Sequence, residues 1–255
     1  MAYDQNPAGR NPMDARGLIV TGTHAGCGKS VACAGLAGAL NELGFHPQAM
    51  KPLAFLPEIS MRKGYEQAFF DRVVPPLQMV DLLTADAPRA VTPVEYQRLV
   101  EICRKRVYPY LLETPGNAAT PIRLGSSELL DAADLASMLG LPILIVTSKQ
   151  RDLIGSLAPV LTYLEKRQAD VMGWLSVETT PPKLMPPQTI PIETSERDQE
   201  ILALRSRHQA TYLGEIPYSP TISVENLQIG NLISATEMGV DLLPIQQALD
   251  LVVPV

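Results

Sequence analysis

Cysteine is sparse in this chain: its 255 residues include only Cys27, Cys33 and Cys103, an odd set with no C-x-x-C pair. That spacing supports neither a disulfide framework nor a structural zinc site, and a reducing, cytoplasmic setting is the expectation. Basic residues are outnumbered, 21 Lys and Arg against 27 Asp and Glu, for a net charge of −6. Without clustered cations there is no field to hold nucleic acid or an acidic membrane surface, so neither is an expected partner. No apolar run approaches the roughly 20 residues of a membrane-spanning helix, and the opening MAYDQNPAGRNPMDAR lacks the apolar centre of a signal peptide. Histidine is rare too: His46 and His208 stand alone, without metal-ligand spacing, and read as surface residues. What remains is 46% hydrophobic and 19% charged, which excludes disorder throughout and suits one full-sized core or at most two small ones.

Residues 1–16 carry Pro and Gly without a hydrophobic period and are expected as a disordered tail, with the domain spanning 17–255. GLIVTG at 17–22 predicts a buried strand. Val31, Leu36, Leu40 and Leu43 recur at helical spacing within 30–44, and Gly44 stops that helix. A second strand over 47–55 sets the βαβ rhythm of a parallel sheet with right-handed crossovers. Pro75, Pro76, Pro88 and Pro93 then cut what are expected as inserted helices over 64–86 and 94–107. Further strands are predicted at 107–113, 141–147, 170–177 and 211–218, and helices at 126–140 (with a serine cap), 152–168, 194–209 and 241–252; a Pro-rich loop fills 180–191. The alternation, with no internal repeat, predicts an α/β fold: a single doubly wound domain of P-loop NTPase type, mostly parallel, with helices on both faces.

Between the first strand and first helix lies Gly22-Thr23-His24-Ala25-Gly26-Cys27-Gly28-Lys29-Ser30, which ends in the G-K-[ST] of a phosphate-binding loop. Backbone N–H groups of such a loop and of the helix start converge on phosphate oxygens, the Lys29 ammonium adds charge, and the Ser30 hydroxyl can ligate Mg²⁺. Strict spacing asks for glycine at 23, where Thr23 stands with Gly22 one residue earlier. The strand–loop–helix context is still the one the motif requires, and a merely tight glycine turn would not account for the lysine and hydroxyl. His24 and Cys27 read as loop fillers, since nothing in the sequence supplies a partner base or a resolving thiol.

Two charged residues converge on the same end of the sheet. Lys51 closes the second strand and Glu113 the third, and ligands of open parallel sheets bind outside the carboxyl ends of the strands. A carboxylate there can hold Mg²⁺, and a second lysine can neutralise charge on a transferring phosphoryl group. Taken singly, each is as well read as a solvated strand-end charge; as a set with the loop, they favour nucleotide chemistry.

These residues resemble the dethiobiotin synthetase family. GTHAGCGKS resembles its G-T-D-T-x-x-G-K-T loop, Lys51-Pro52-Leu53-Ala54 its K-P-V-x-S-G, and Glu113-Thr114-Pro115-Gly116-Asn117 stands where it has E-G-A-G-G. Downstream, DAADLASMLGLPILIV, Lys149, GWLSVETTPP and YLGEIPY follow the family's segments in order, so the resemblance covers most of residues 17–218. It implies an ATP- and Mg²⁺-dependent ligase in the biotin pathway, which carboxylates 7,8-diaminopelargonate, activates the carbamate by γ-phosphoryl transfer and closes the ureido ring. It further implies that Lys29 and Lys51 are catalytic, that Gly22 to Ser30 wrap the triphosphate, and that Ser30, Glu113 and a second carboxylate, Asp71 or Asp81, hold the metal. A homodimer sharing its small-molecule substrate across the interface is implied as well. Three departures stand out: Ala25 for the second loop Thr, Phe55 for a Ser after the strand lysine, and Val177 for an adenine-reading Asn. None of the three can make the hydrogen bonds of the residue it replaces. Phe55 is expected to project from a loop toward the substrate. A related ring- or amide-forming ligase acting on another substrate, and a non-catalytic nucleotide-binding regulator, are the competing readings; a partitioning ATPase would carry a lysine where His24 stands.

Overall fold

A computed structural model describes residues 16–55, 65–79, 83–126, 129–149, 152–179 and 192–251. In chain order its elements are β1 (Gly17–Gly22), α1 (Lys29–Glu42), β2 (Gln48–Met50), β3 (Leu53–Phe55), α2 (Tyr65–Val73), β4 (Leu83–Ala85), α3 (Pro93–Arg104), β5 (Tyr110–Glu113), β6 (Arg123–Leu124) and β7 (Leu129–Leu130). Then follow α4 (Ala132–Leu139), β8 (Ile143–Ser148), α5 (Leu153–Lys166), β9 (Val171–Val177), α6 (Ile192–Arg207), β10 (Thr211–Ile216), α7 (Leu232–Gly239) and α8 (Leu243–Ala248). Six strands form one sheet in the order β10-β9-β8-β1-β5-β2, and every pairing in it is parallel.

Side chains alternate across a strand, so a sheet covered on both faces must bury both residue sets. Leu18 and Val20 of β1 enter one apolar cluster with Leu36 and Leu40 of α1 and Leu232 of α7. Ile19, between them, enters the other, with Leu99 of α3, Leu135 of α4 and Leu157 of α5. The doubly wound α/β fold expected from the sequence is therefore present, and β1, the strand that feeds the phosphate loop, lies inside the sheet.

Several boundaries differ from expectation. The second strand breaks in two at Lys51-Pro52, because proline lacks an N–H and pushes the chain off the ladder. The Pro52 carbonyl instead accepts Leu83 N at 2.7 Å, which starts the separate β3–β4 pair. The helix expected over 64–86 ends at Val73, before Pro75-Pro76, and 83–85 is strand. The helix expected from 126 begins at Ala132: its cap is Asp131, which accepts Ala133 N and Asp134 N and completes a capping box with Asp134, while Leu129–Leu130 pair with Arg123–Leu124. Thr92 caps α3 by the same reciprocal device with Glu95. α7 was not anticipated; it packs against α1. The tail through residue 15, the loop over 180–191 and Asp81 lie outside the described residues. Among the described residues no helix is long and apolar enough to cross a membrane.

Candidate functional site

Gly22 ends β1 and Lys29 opens α1, so residues 23–28 form the connecting loop the sequence predicts. Gly28 precedes the helix at φ 96°, and a Cβ placed on it would lie 2.6 Å from Val177 Cβ. Only glycine fits both the left-handed backbone and that close approach. No side chain caps the first turn of α1 and no acid lies within it. Its orphan N–H groups and the positive end of its dipole are left for an anion. Cys27 is fully buried, its Sγ donating to the Val146 carbonyl at 3.2 Å, in keeping with a filling role. Ala25 is exposed, and Ser30 is partly buried as the second residue of the helix.

The Lys29 ammonium is buried and donates to the Gly116 carbonyl at 2.5 Å. Gly116, at φ 63°, belongs to the turn after β5, which Asn117 and Thr120 brace: Asn117 N donates to Thr120 Oγ1 at 2.8 Å and Thr120 Oγ1 to Asn117 Oδ1 at 3.0 Å. Ala118 N donates to the Gly22 carbonyl at 3.0 Å. The loop after β5 is thus docked on the phosphate loop at two points.

Lys51 and Glu113 meet. Lys51 Nζ lies 2.9 Å from Glu113 Oε1 and 2.8 Å from Glu66 Oε1, so one ammonium sits between two carboxylates. Burial works against the charged form of Lys51, but Glu113 and then Glu66 outweigh it and hold its pKa above that of an ordinary lysine. Glu66 was not singled out from the sequence. It stands in the first turn of α2, and its neighbour Gln67 docks that turn on β2 by accepting Lys51 N at 3.0 Å and donating to the Ala49 carbonyl at 3.3 Å. Asp71, one helical turn further on, accepts the Gln67 amide at 2.8 Å; the acid that reaches Lys51 is Glu66. Among the described residues no group of three or more His, Cys, Asp and Glu gathers into a metal cage. Magnesium needs none, since one or two carboxylates with substrate phosphates and water suffice. Glu113 Oε2 is buried without a hydrogen-bond partner, an orphan acceptor of the kind a hard cation satisfies, so these residues fit such an ion.

The opposite side of the site, over β8, β9 and β10, carries a charged cluster. Lys149 lies 2.8 Å from Glu215 and 3.8 Å from Glu178, while Arg197 approaches Glu215 at 3.5 Å and donates to Ser176 Oγ at 3.1 Å. Val177, at the place of a base-reading amide, is buried beneath Gly28. Phe55 is not in a loop. It pairs with Ala85 at the end of β3 and packs, partly buried, against the apolar cluster of Leu53 and Val91.

No family model matches the chain. Its sequence is 31% identical over 235 residues to a protein of Anaeromyxobacter dehalogenans (strain 2CP-1) named ATP-dependent dethiobiotin synthetase, covering 86% of this chain and 98% of that one. A protein of the same name from Pseudescherichia vulneris is 24% identical over 238 residues, covering 87% and 92%. Among solved structures, the MinC:MinD cell division protein complex of Aquifex aeolicus is similar at 16% identity and a TM-score of 0.49, over 87% of this chain and 94% of that one. The first relative, matched along nearly its whole length, places this sequence at the level of an ATP-dependent ligase, and the chain belongs to the ATP-dependent dethiobiotin synthetase family.

Proposed function

We propose that the protein forms a cyclic urea from a vicinal diamine and CO₂ at the expense of ATP, as a dethiobiotin synthetase does with 7,8-diaminopelargonate. The observation that carries the reading is the Lys51 ammonium between Glu113 and Glu66, beside a helix start left open for phosphate. The backbone from Gly22 to Ser30 wraps the triphosphate, and Lys29 leaves the Gly116 carbonyl to meet its β- and γ-oxygens. Ser30, Glu113 and Glu66 are the groups that would hold Mg²⁺, which draws charge from the phosphates when bound. Lys51 gives the γ-phosphoryl group and the carbamate a fixed positive charge as the carbamate oxygen attacks phosphorus and ADP departs. Attack of the second amine on the activated carbonyl then expels phosphate and closes the ring. The phosphoryl groups lie over β5 and β2, so the nucleoside extends over β8, β9 and β10. By analogy with the family, the working form is a homodimer.

Mass spectrometry of a reaction holding Mg·ATP, bicarbonate and 7,8-diaminopelargonate tests this. Dethiobiotin is expected from the parent and not from Lys29→Ala. Tight Mg·ATP binding with no product favours the related ligase acting on another substrate, which the departures at Ala25 and Phe55 would accompany.

A further inference from the structure

Both ring nitrogens of His24 are engaged: Nδ1 lies 3.0 Å from Thr23 Oγ1 and Nε2 lies 3.3 Å from Ser148 Oγ. Counting protons along the adjoining hydroxyls fixes the direction of each bond. Thr147 Oγ1 donates to the Ser148 carbonyl at 3.4 Å, and so accepts the Thr23 hydroxyl proton at 3.2 Å. The Thr23 proton being used there, its contact with the ring requires Nδ1–H as donor. In a neutral imidazole Nε2 is then bare and accepts from Ser148 Oγ–H. Burial, and then the Lys29 ammonium, hold the His24 pKa below its ordinary value and keep the ring neutral.

These bonds extend the β1–β8 pairing beyond the end of β1, along the last residues of β8. Thr23 N donates to the Val146 carbonyl at 3.0 Å, and the Thr23–Thr147 and His24–Ser148 side-chain pairs follow it. The first arm of the phosphate loop is thereby fastened to the end of β8. The residue after Ser148 is Lys149, the centre of the cluster with Glu215 and Glu178. An ionised aspartate, which stands at this place in the family's loop pattern, offers no donor and could not complete the same chain of bonds.

We propose that His24 is a positioning residue that couples the phosphate loop to the nucleoside side of the site through Ser148 and Lys149. The coupling rests on the nucleotide reading above. It acts only on a ligand that spans both ends, so a nucleotide senses it and a bare polyphosphate does not.

Titration calorimetry with Mg·ATP and Mg·tripolyphosphate separates the two. His24→Ala should weaken ATP by about tenfold, the size of one lost hydrogen bond, and leave tripolyphosphate within about twofold of the parent. His24→Gln, whose amide can accept from Ser148, should return the ratio of the two affinities toward that of the parent. Equal losses for both probes, or no loss for ATP, overturn the coupling. Lys29→Ala serves as the control: retention of both probes there refutes the nucleotide reading itself. A measurement on the parent needs no variant to fold. The chain has three histidines, and their ¹⁵N spectrum should show His24 protonated at Nδ1 and bare at Nε2; the opposite tautomer contradicts the bond chain.

Discussion

Replacing Lys51 by methionine removes the charge that two carboxylates share while keeping the length of the side chain. The Glu113 side chain is 2% exposed and the Glu66 side chain 14%, so neither acid regains full hydration when the ammonium goes. Breaking a buried ion pair by removing one partner costs about 3–5 kcal/mol. Glu66 keeps partial contact with water, so the lower end, about 3 kcal/mol, is expected here. For a chain of this size that corresponds to a Tm lower by roughly 6–12 °C. Trp174, fully buried and 4.3 Å from the Tyr212 ring, reports unfolding by fluorescence in urea. Lys51→Met with Glu113→Gln should recover most of the loss, because the orphaned carboxylate is then gone. A Lys51→Met protein within about 0.5 kcal/mol of the parent, inside the range of ordinary surface substitutions, would refute the claim that Lys51 holds a buried acid in place.

Alkaline pH should unfold the protein early. Burial pushes the Cys103 thiol up to about 12 and raises Cys33, Tyr96 and Tyr110 above their ordinary values. The unfolded chain therefore releases these protons first, and stability falls as pH rises past about 8.5 for thiols and 10 for tyrosines. The raised Lys51 has the same sign: its contribution is complete below about 10.4 and is lost progressively as pH rises from there through its higher folded value. The two thiols alone are enough to lower stability between pH 8 and pH 10; urea midpoints equal at those two values would contradict this. Val177→Asn should not sharpen base choice, since the amide would be buried under Gly28 at a cost of about 1–3 kcal/mol; ATP, CTP and GTP affinities should stay within about tenfold of one another in parent and variant alike, and a strong new ATP preference would sink this reading of Val177. Gly28→Ala places a methyl group against Val177 on a left-handed backbone, and Mg·ATP affinity should fall more than about tenfold by calorimetry; unchanged affinity would show that the loop tolerates another shape.

The strands β1, β5 and β8 were legible because a buried parallel strand must be apolar throughout, and the charged or glycine-bearing residues that end each run mark the carboxyl edge where ligands bind. Gly22 to Ser30 was read from its G-K-S ending between strand and helix, and Lys51 and Glu113 from that edge taken together with the loop. Glu66 did not. Its role depends on how α2 docks, which is set by Gln67 bonding to β2 backbone and leaves no periodic trace in the sequence. The break at Lys51-Pro52 was written in Pro52, yet the apolar stretch on either side masked it, since both halves are strand and only the ladder partner changes. α7 escaped notice because it is short and its buried residues, Leu232, Ala235 and Thr236, include one polar and one small side chain. His24 looked inert for a related reason: Ser148, which meets its Nε2, lies 124 positions along the chain, as does the Thr147 that its neighbour Thr23 meets.

The account depends most on phosphoryl transfer that is tied to the substrate and routed past Lys29 and Lys51. Phosphate release from Mg·ATP, followed with and without diaminopelargonate and bicarbonate, tests that directly. Release is expected only when both are present, matched by one dethiobiotin per phosphate, with Lys29→Ala and Lys51→Met silent. Release at an undiminished rate without the diamine, or from the Lys51→Met protein, would contradict it.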